Sequence, residues 1–361
     1  MIVMDPALEK RAAGGDVDSQ LSLASQLEAD NRGQPARGWY ARAAQLGSPL
    51  GMRKLAASLL TQHPYDIQNG LRFMRAAAEK GDAEALRVCA VLAAQDINLP
   101  NKWQVALDFL VAAAEHGSTH ARDEIALLAG RKADDAKSLR GEIDFARWLA
   151  LPQPVAVREA PRISVFENFL TPETCDWLIA RSLGRVQRAR VYDPLTGNVT
   201  VEDNRTNGAA NFDITDWDLP IVFLRTRIAQ AVNLPAHCLE HPMVLHYDPG
   251  QEFEPHYDFL DPDMIPLRRE IAVKGQRVAT FLVYLNEDYE GAETEFLKLG
   301  IQHKGRKGDG LLFWNVDPQG EPDRLTMHAG RTPISGEKWL LSQWIREEKR
   351  SSARDLAVHL G

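Results

Sequence analysis

Several things are scarce in this 361-residue chain, and each scarcity excludes something. There is no basic excess. Lys and Arg number 42 against 50 Asp and Glu, a formal net charge of −8, so no general cationic surface is available for phosphate backbones. The short clusters Arg268-Arg269 and Lys304 to Lys307 read as solvated loops. Cysteine is nearly absent: Cys89, Cys175 and Cys238 lie far apart with no C-x-x-C pair, which excludes a disulfide framework and fits free thiols in a reducing cytosol. No apolar run reaches the about 18 residues of a membrane-span candidate. The start, MIVMDPALEK, lacks a basic-then-apolar leader pattern. The expectation is a cytoplasmic protein that binds neither nucleic acid nor membrane.

What is present first is repetition. AAGGD, AAQLGS, AAAEKGD and AAAEHGS recur with their glycines at Gly15, Gly47, Gly81 and Gly117, spacings of 32, 34 and 36 residues. Each glycine ends an Ala-rich helical stretch, where positive φ is wanted. Asp16, Ser48, Asp82 or Ser118 follows as an N-cap for the next helix. Trp39, Phe73 and Phe109 each stand eight residues before their glycine, a register suited to filling the gap between stacked helix pairs. Residues 5–150 therefore read as an α-solenoid of helical hairpins, with one further helix over 130–151. The corner AA-x-x-G-[DS] resembles the Sel-like branch of the tetratricopeptide repeats. That resemblance implies a surface for a protein or peptide, for a second copy of the chain, or for rigid support.

Three prolines in PQPVAVREAPR exclude helix and mark residues 151–162 as an extended linker. Beyond it, over 163–350, the pattern changes. TPETCDWLIARSL and WDLPIVFLRTRIAQAV read as helices, the second amphipathic. MVLHY, VATFLVYL, TEFLKL, GLLFWNV, RLTMHAG and KWLLSQWI read as short strands of a sandwich or barrel. Within EFEPHYDFLDP, alternation along a strand sends His256 and Asp258 out of the same face. They are either a surface ion pair or two thirds of a metal site. A third ligand could come from His237, His241, His246, His303, His328 or His359, and composition does not choose. His328 gains weight from Lys338, ten residues on, which opens an otherwise apolar strand. Either Lys338, Leu340, Ser342 and Trp344 point inward, or they face solvent and Trp339, Leu341 and Gln343 face the core. A buried lysine needs an anionic partner, and a bound dicarboxylate would serve.

The order of motifs over 163–347 resembles the prolyl 4-hydroxylase-like branch of the iron(II)- and 2-oxoglutarate-dependent dioxygenases. It is carried by Tyr247, Gly250, Phe253, His256 and Asp258, then by Arg277, Thr280, Tyr284, Leu285 and Asn286. GAETEF (291–296), KGDGLLF (307–313) and HAGRTPISGEKW (328–339) with Trp344 complete it. The resemblance implies a double-stranded β-helix, or jelly-roll, with flanking helices. It implies His256, Asp258 and His328 as an iron-holding facial triad that leaves three positions open. It further implies Lys338 on the distal carboxylate of 2-oxoglutarate, with Tyr247, Thr280 and Tyr284 adding hydrogen bonds and Trp344 walling the pocket. O₂ is the co-substrate and ascorbate an expected reductant. Ala292 departs from the family, which often has a second glycine there.

Two loops are expected to shape substrate choice: the long polar segment 192–213, a mobile lid containing Arg205 and Asn207, and 259–276, which follows the ligands and could close over the site. The expected activity is hydroxylation of an unactivated C–H bond, of a prolyl residue in a protein or peptide that the repeats help recruit. The alternatives are another residue of a peptide natural product, a free amino acid, or a non-catalytic repeat scaffold.

Overall fold

The computed structural model describes residues 5–131, 135–189, 191–192, 199–200 and 205–349. His359 and the end of the expected second domain at 350 lie outside the described residues. The chain forms two compact units: among the described residues one runs to Trp148 and also takes in Asp213–Val222, and the other comprises Leu149–Phe212 and residues 223–349.

The first unit is built of paired helices: Pro6–Ala13 with Val17–Ala29, Gly33–Gln45 with Pro49–Thr61, Ile67–Glu79 with Ala83–Gln95, and Lys102–Glu115 with Thr119–Ala129. The recurring corner has one physical basis. Ser48, Asp82 and Ser118 donate their backbone N–H to the carbonyls of Ala43, Ala77 and Ala113, five residues back, while the intervening Gly47, Gly81 and Gly117 adopt φ of 87°, 80° and 99°. That is a helix-terminating turn which a residue with Cβ resists. The Ser48, Asp82 and Ser118 side chains then accept from Gly51, Ala85 and Ala121 N–H, opening the next helix. The aromatic register sits at the edge of the helical core, with Trp39 and Phe73 packed against it. Trp39, Phe73 and Phe109 are half-buried rather than core, and Arg42 and Arg72 stack on the first two at 4.4 and 5.0 Å. Small residues (Ala12, Ala24, Ala56, Ala90) instead let the helices approach, with Tyr40 and Met74 between them. In this unit Arg87 donates to the carbonyls of Trp217 (2.6 Å) and Thr215 (3.2 Å), and the fully buried Glu124 accepts from Leu219 N–H.

The single helix expected over 130–151 is broken. Ala136–Leu139, a 3₁₀ turn and Phe145–Leu149 take its place, because Asp144 accepts from Ala146 and Arg147 N–H and starts a new turn. Within the expected linker, Val155–Glu159 is extended and pairs with Arg162–Phe166 as the outer strand of a sheet.

The second unit is a jelly-roll. Among the described residues the larger sheet is antiparallel, in the order 155–159, 162–166, 310–314, 277–284, 338–346, 243–247, 208–211 and 187–188. The smaller orders 301–303, 294–296, 328–330 and 253–256. A core between them joins Leu245, Leu282, Leu311 and Leu340 of the first sheet to Phe296 of the second. Pro172–Ser182 and Leu219–Val232 are the expected helices. The second is buried on nearly all sides rather than amphipathic, and its Arg225 is satisfied by the carbonyls of Glu240 and Leu239 and by Gln343 Oε1. Of the expected lid, residues 193–198 and 201–204 lie outside the described residues, and Gly208–Asn211 is a strand. The segment after Asp258 is a helix, Ile265–Lys274, tied down by Glu270 Oε1 to Arg346 Nη2 at 2.7 Å and by Gln276 bonded to both the N–H and C=O of Leu260.

Ala292 is buried at φ 57°, the left-handed region that favours glycine over a residue with Cβ. Its Cβ strain of about 1–2 kcal/mol exceeds the chain-entropy cost of glycine, up to about 1 kcal/mol. Ala292→Gly is therefore expected to raise the unfolding free energy by about 0.5–1 kcal/mol in urea titrations.

Candidate active site

The residues EFEPHYDFLDP enter the smaller sheet as Phe253–His256, and the strand ends there. Asp258 lies in the bend beyond, so the shared strand face expected for His256 and Asp258 does not exist. The convergence arises another way. His328 is the direct antiparallel partner of His256 across the sheet, and the bend turns the Asp258 carboxylate back toward both rings. Asp258 Oδ1 is 3.6 Å from His256 Nε2, and Oδ2 is 3.6 Å from His328 Nε2. Both separations are too long for hydrogen bonds, yet the three ligand atoms lie within 4.8 Å of one another.

Each imidazole is oriented by the same local device. His256 Nδ1 is 2.7 Å from Glu254 O, and His328 Nδ1 is 3.0 Å from Thr326 O, two residues upstream in both cases. A carbonyl only accepts, so each Nδ1 carries a proton, and a ring with no second proton turns its Nε2 lone pair to the centre. Burial, together with the neighbouring His328, pushes His256 down to about 3, which keeps it neutral. Burial alone would raise Asp258, but His328, His256 and a hydrogen bond from Thr280 hold it below the usual carboxylate range. Two neutral imidazoles and one ionised carboxylate are a fitting donor set for a divalent iron, with a hard oxygen and two borderline nitrogens on one side.

The pocket beside this centre is lined by Arg205, Tyr247, Thr294, Lys338, Leu340 and Trp344, among others. Lys338, Leu340, Ser342 and Trp344 share its wall, which settles the parity of that strand. Neither face meets solvent, since Trp339, Leu341 and Gln343 are buried on the other side. Lys338 is fully buried. Its Nζ donates to Ala292 O at 2.7 Å and sits 5.5 and 5.4 Å from the Tyr247 and Tyr284 rings. Among the described residues it makes no ion pair, and burial pushes it down to about 7. Its cation therefore lacks the anion that the sequence argument required.

The remaining expected residues divide. Tyr247 lines the pocket, and burial pushes its hydroxyl up to about 12. Trp344 lines it as well, held from behind by Arg277 stacked at 3.7 Å, itself paired to Glu240. Thr280 and Tyr284 are not on the lining: Thr280 Oγ1 donates to Asp258 Oδ2 at 2.6 Å, and Tyr284 OH meets Thr294 Oγ1 at 2.9 Å. Arg205 is buried on the lining, bridged to Phe253 and stacked on its ring at 4.5 Å, with Nε donating to Asn207 Oδ1 at 3.2 Å. Asn207 is behind it, bonded to Gly208 O. Asn286 clamps the strand that begins at Lys338, accepting from Trp339 N–H and donating to Glu337 O. Thr294 was missed. It lies inside GAETEF and shares the pocket lining with Lys338, an orientation the motif itself does not reveal. Of the other histidines, His241 Nδ1 meets Phe212 O, His246 bonds Glu337 at the surface at 2.6 Å, and His303 packs edge-on to Tyr284.

The 2OG-Fe(II) oxygenase superfamily model matches residues 242–346. Prolyl 4-hydroxylase 1 of Arabidopsis thaliana is 34% identical over 248 residues, covering 62% of this chain and 85% of that protein. The chain belongs to the prolyl 4-hydroxylase family of 2OG-Fe(II) oxygenases. A 2OG complex of a viral collagen prolyl hydroxylase from Paramecium Bursaria Chlorella virus-1 aligns over 52% of this chain and 96% of its own, at 29% identity and a TM-score of 0.40. A Sel1 repeat protein from Oxalobacter formigenes aligns over 32% of this chain and 92% of its own, at 22% identity and a TM-score of 0.29. As a member of this family the chain is a 2-oxoglutarate-dependent dioxygenase that uses Fe(II) and O₂.

An unpaired buried ammonium is costly in the ligand-free protein. Lys338→Met, similar in length and apolar, is expected to raise the unfolding free energy of the ligand-free protein by about 2 kcal/mol in chemical denaturation at pH 7. A loss of stability would show that the charge is compensated within the fold.

Proposed function

We propose that this oxygenase hydroxylates a prolyl residue of a protein or peptide, with His256, Asp258 and His328 holding Fe(II) and Lys338 holding the distal carboxylate of 2-oxoglutarate. The carrying observation is that a neutral-imidazole and carboxylate cluster and an uncompensated buried lysine border one pocket. The prolyl substrate rests on the names of the relatives. Iron with 2-oxoglutarate and O₂ supplies the oxidant: one oxygen atom enters the C–H bond and the other enters succinate, with release of CO₂.

The chain's own residues position and exclude. Glu254 O and Thr326 O fix the imidazole tautomers. The hydroxyls of Tyr247 and Thr294 lie on the lining with Lys338 and are suited to a carboxylate, Tyr247 staying protonated because burial raises it. Leu245, Leu282 and Leu340 keep this end of the pocket dry, which strengthens the ammonium–carboxylate attraction. Arg205, stacked on Phe253, presents a cation to the carbonyl groups of an incoming peptide. We assign recruitment of that peptide to the helical repeats, a stimulating role to ascorbate and a cytoplasmic location to the protein. No helix among the described residues is long and apolar enough to cross a membrane.

Two outcomes test this reading. Incubation of the full chain with a proline-containing peptide, Fe(II), 2-oxoglutarate and ascorbate is expected to add the mass of one oxygen to proline and release equimolar succinate. His256→Ala is expected to do neither. Oxygen on another residue type, or only on free amino acids, would displace the prolyl assignment. The second outcome concerns pH. Lys338 has a depressed value of about 7 without ligand, and a carboxylate partner raises it. Binding then takes up a proton above pH 7, so 2-oxoglutarate affinity should be flat below that value and fall by up to about tenfold per pH unit above it. Calorimetry in buffers of different ionisation enthalpy reads the proton directly.

A further inference from the structure

Behind Asp258 lies a chain of polar groups that the ligand set alone does not explain. Thr280 Oγ1 is 2.6 Å from Asp258 Oδ2, and Asn315 Nδ2 is 3.0 Å from Thr280 Oγ1. Thr280 and Asn315 are fully buried, and Asp258 is 4% exposed. Direction along the chain follows from chemistry. Thr280 Oγ1 donates to Asp258 Oδ2, so its single hydroxyl hydrogen is committed there. The hydroxyl oxygen is then left as an acceptor, which Asn315 can satisfy only with its amide N–H₂. The same logic fixes which end of the Asn315 amide faces Thr280.

Asn315 has little other reason to be polar. Its side-chain Oδ1 finds no hydrogen-bond partner among the described residues, although a buried unsatisfied carbonyl is costly. Its backbone is held independently, N–H to Val278 O at 2.8 Å and C=O from Asp323 N–H at 2.9 Å. Among the described residues the side chain's one hydrogen bond is the donation to Thr280. Thr280 in turn is fixed by its strand, as the register partner of both Phe313 and Trp344 in the larger sheet.

We propose that Asn315 and Thr280 form a directional relay, Asn315 N–H to Thr280 O–H to Asp258 carboxylate, that sets the plane of the carboxylate and so the affinity and geometry of the metal centre. The proposal rests on the reading of His256, Asp258 and His328 as metal ligands. Asn315 and Thr280 are positioning residues: neither touches an ion, and both act through Asp258. Outer partners of this kind typically carry about 10- to 100-fold in metal affinity. The relay crosses from the larger sheet to the bend after the smaller one, so the carboxylate is oriented by a part of the fold other than the strands that present the two histidines.

Cobalt(II) is the probe, because its visible absorption reports both binding and ligand geometry without turnover. Wild type, Thr280→Val, Thr280→Ser, Asn315→Ala and Asp258→Ala are titrated as full chains, with thermal unfolding of each metal-free protein measured in parallel. Thr280→Val keeps the shape and removes the donor. It is expected to bind Co(II) about tenfold more weakly with a changed spectrum, while Thr280→Ser stays within about threefold of wild type. Asn315→Ala should follow Thr280→Val. Should Asn315→Ala fail to fold, the Val and Ser pair decides alone. If Thr280→Val matches wild type in affinity and spectrum while Asp258→Ala loses the metal, the relay is wrong and the ligand reading stands. If Asp258→Ala itself binds Co(II) like wild type, the ligand reading falls and takes the relay with it.

Discussion

The pairing of His256 with His328 across two antiparallel strands is the constraint on which the catalytic unit depends. Residues directly opposite in such a pair hold their side chains close on one face, and here both are imidazoles with centroids 4.3 Å apart. Two rings whose Nε2 lone pairs converge would repel unless a positive charge, a proton or a metal ion, sat between them. The Asp258 carboxylate adds a negative charge to the same point. A cation is the simplest way to stabilise all three, and the hydrogen bonds to Glu254 O and Thr326 O leave the rings no alternative tautomer that would relieve the arrangement.

Buried charge in this unit falls into two kinds. Glu240 is surrounded by its own partners, Arg277 and Arg346, each at 2.7 Å, and these hold it below the usual carboxylate range against the effect of burial. That cluster is complete within the chain and serves as a brace, with Arg277 backing Trp344. Arg225 is likewise complete through backbone carbonyls. Asp258 with its two neutral imidazoles, and Lys338 with one carbonyl, are not complete. An incomplete charge is what a ligand finishes, and the two incomplete centres, of opposite sign, border the same pocket. Stability given up at Lys338 is the expected counterpart of affinity for a dicarboxylate.

Legibility in the sequence followed the range of the interaction. The helical repeats were readable because their corner is local: a carbonyl, a positive-φ glycine and a cap within six residues. Strand positions from 243 to 346 were readable for a similar reason, as short apolar runs between breakers. Where a tertiary contact overrides local pattern, reading failed. The helix at Ile265–Lys274, held through Glu270 to Arg346, stands where the sequence reads as a loop, whereas the stretch from 130 is cut by a local cap, Asp144, that propensity does not reveal. At the site, alternation along one strand was the wrong reason for His256 and Asp258 to meet, since the strand stops between them. Lys338 could be argued from burial, whereas Thr280 could not be distinguished from a co-substrate contact until its distance to Asp258 was known. Thr294 and Asn315 depend on which strands neighbour which, information no single segment holds.

The proposed pocket holds a divalent iron and a dicarboxylate together, each favouring the other. Calorimetric titration of 2-oxoglutarate into the wild-type protein with and without Mn(II), as a redox-inert stand-in for Fe(II), tests this most directly. One site per chain is expected, at least about tenfold tighter with the metal present, because without it only the Lys338 end of the pocket holds the dicarboxylate. Equal affinity in the presence and absence of Mn(II), with Mn(II) shown to be bound, would contradict it.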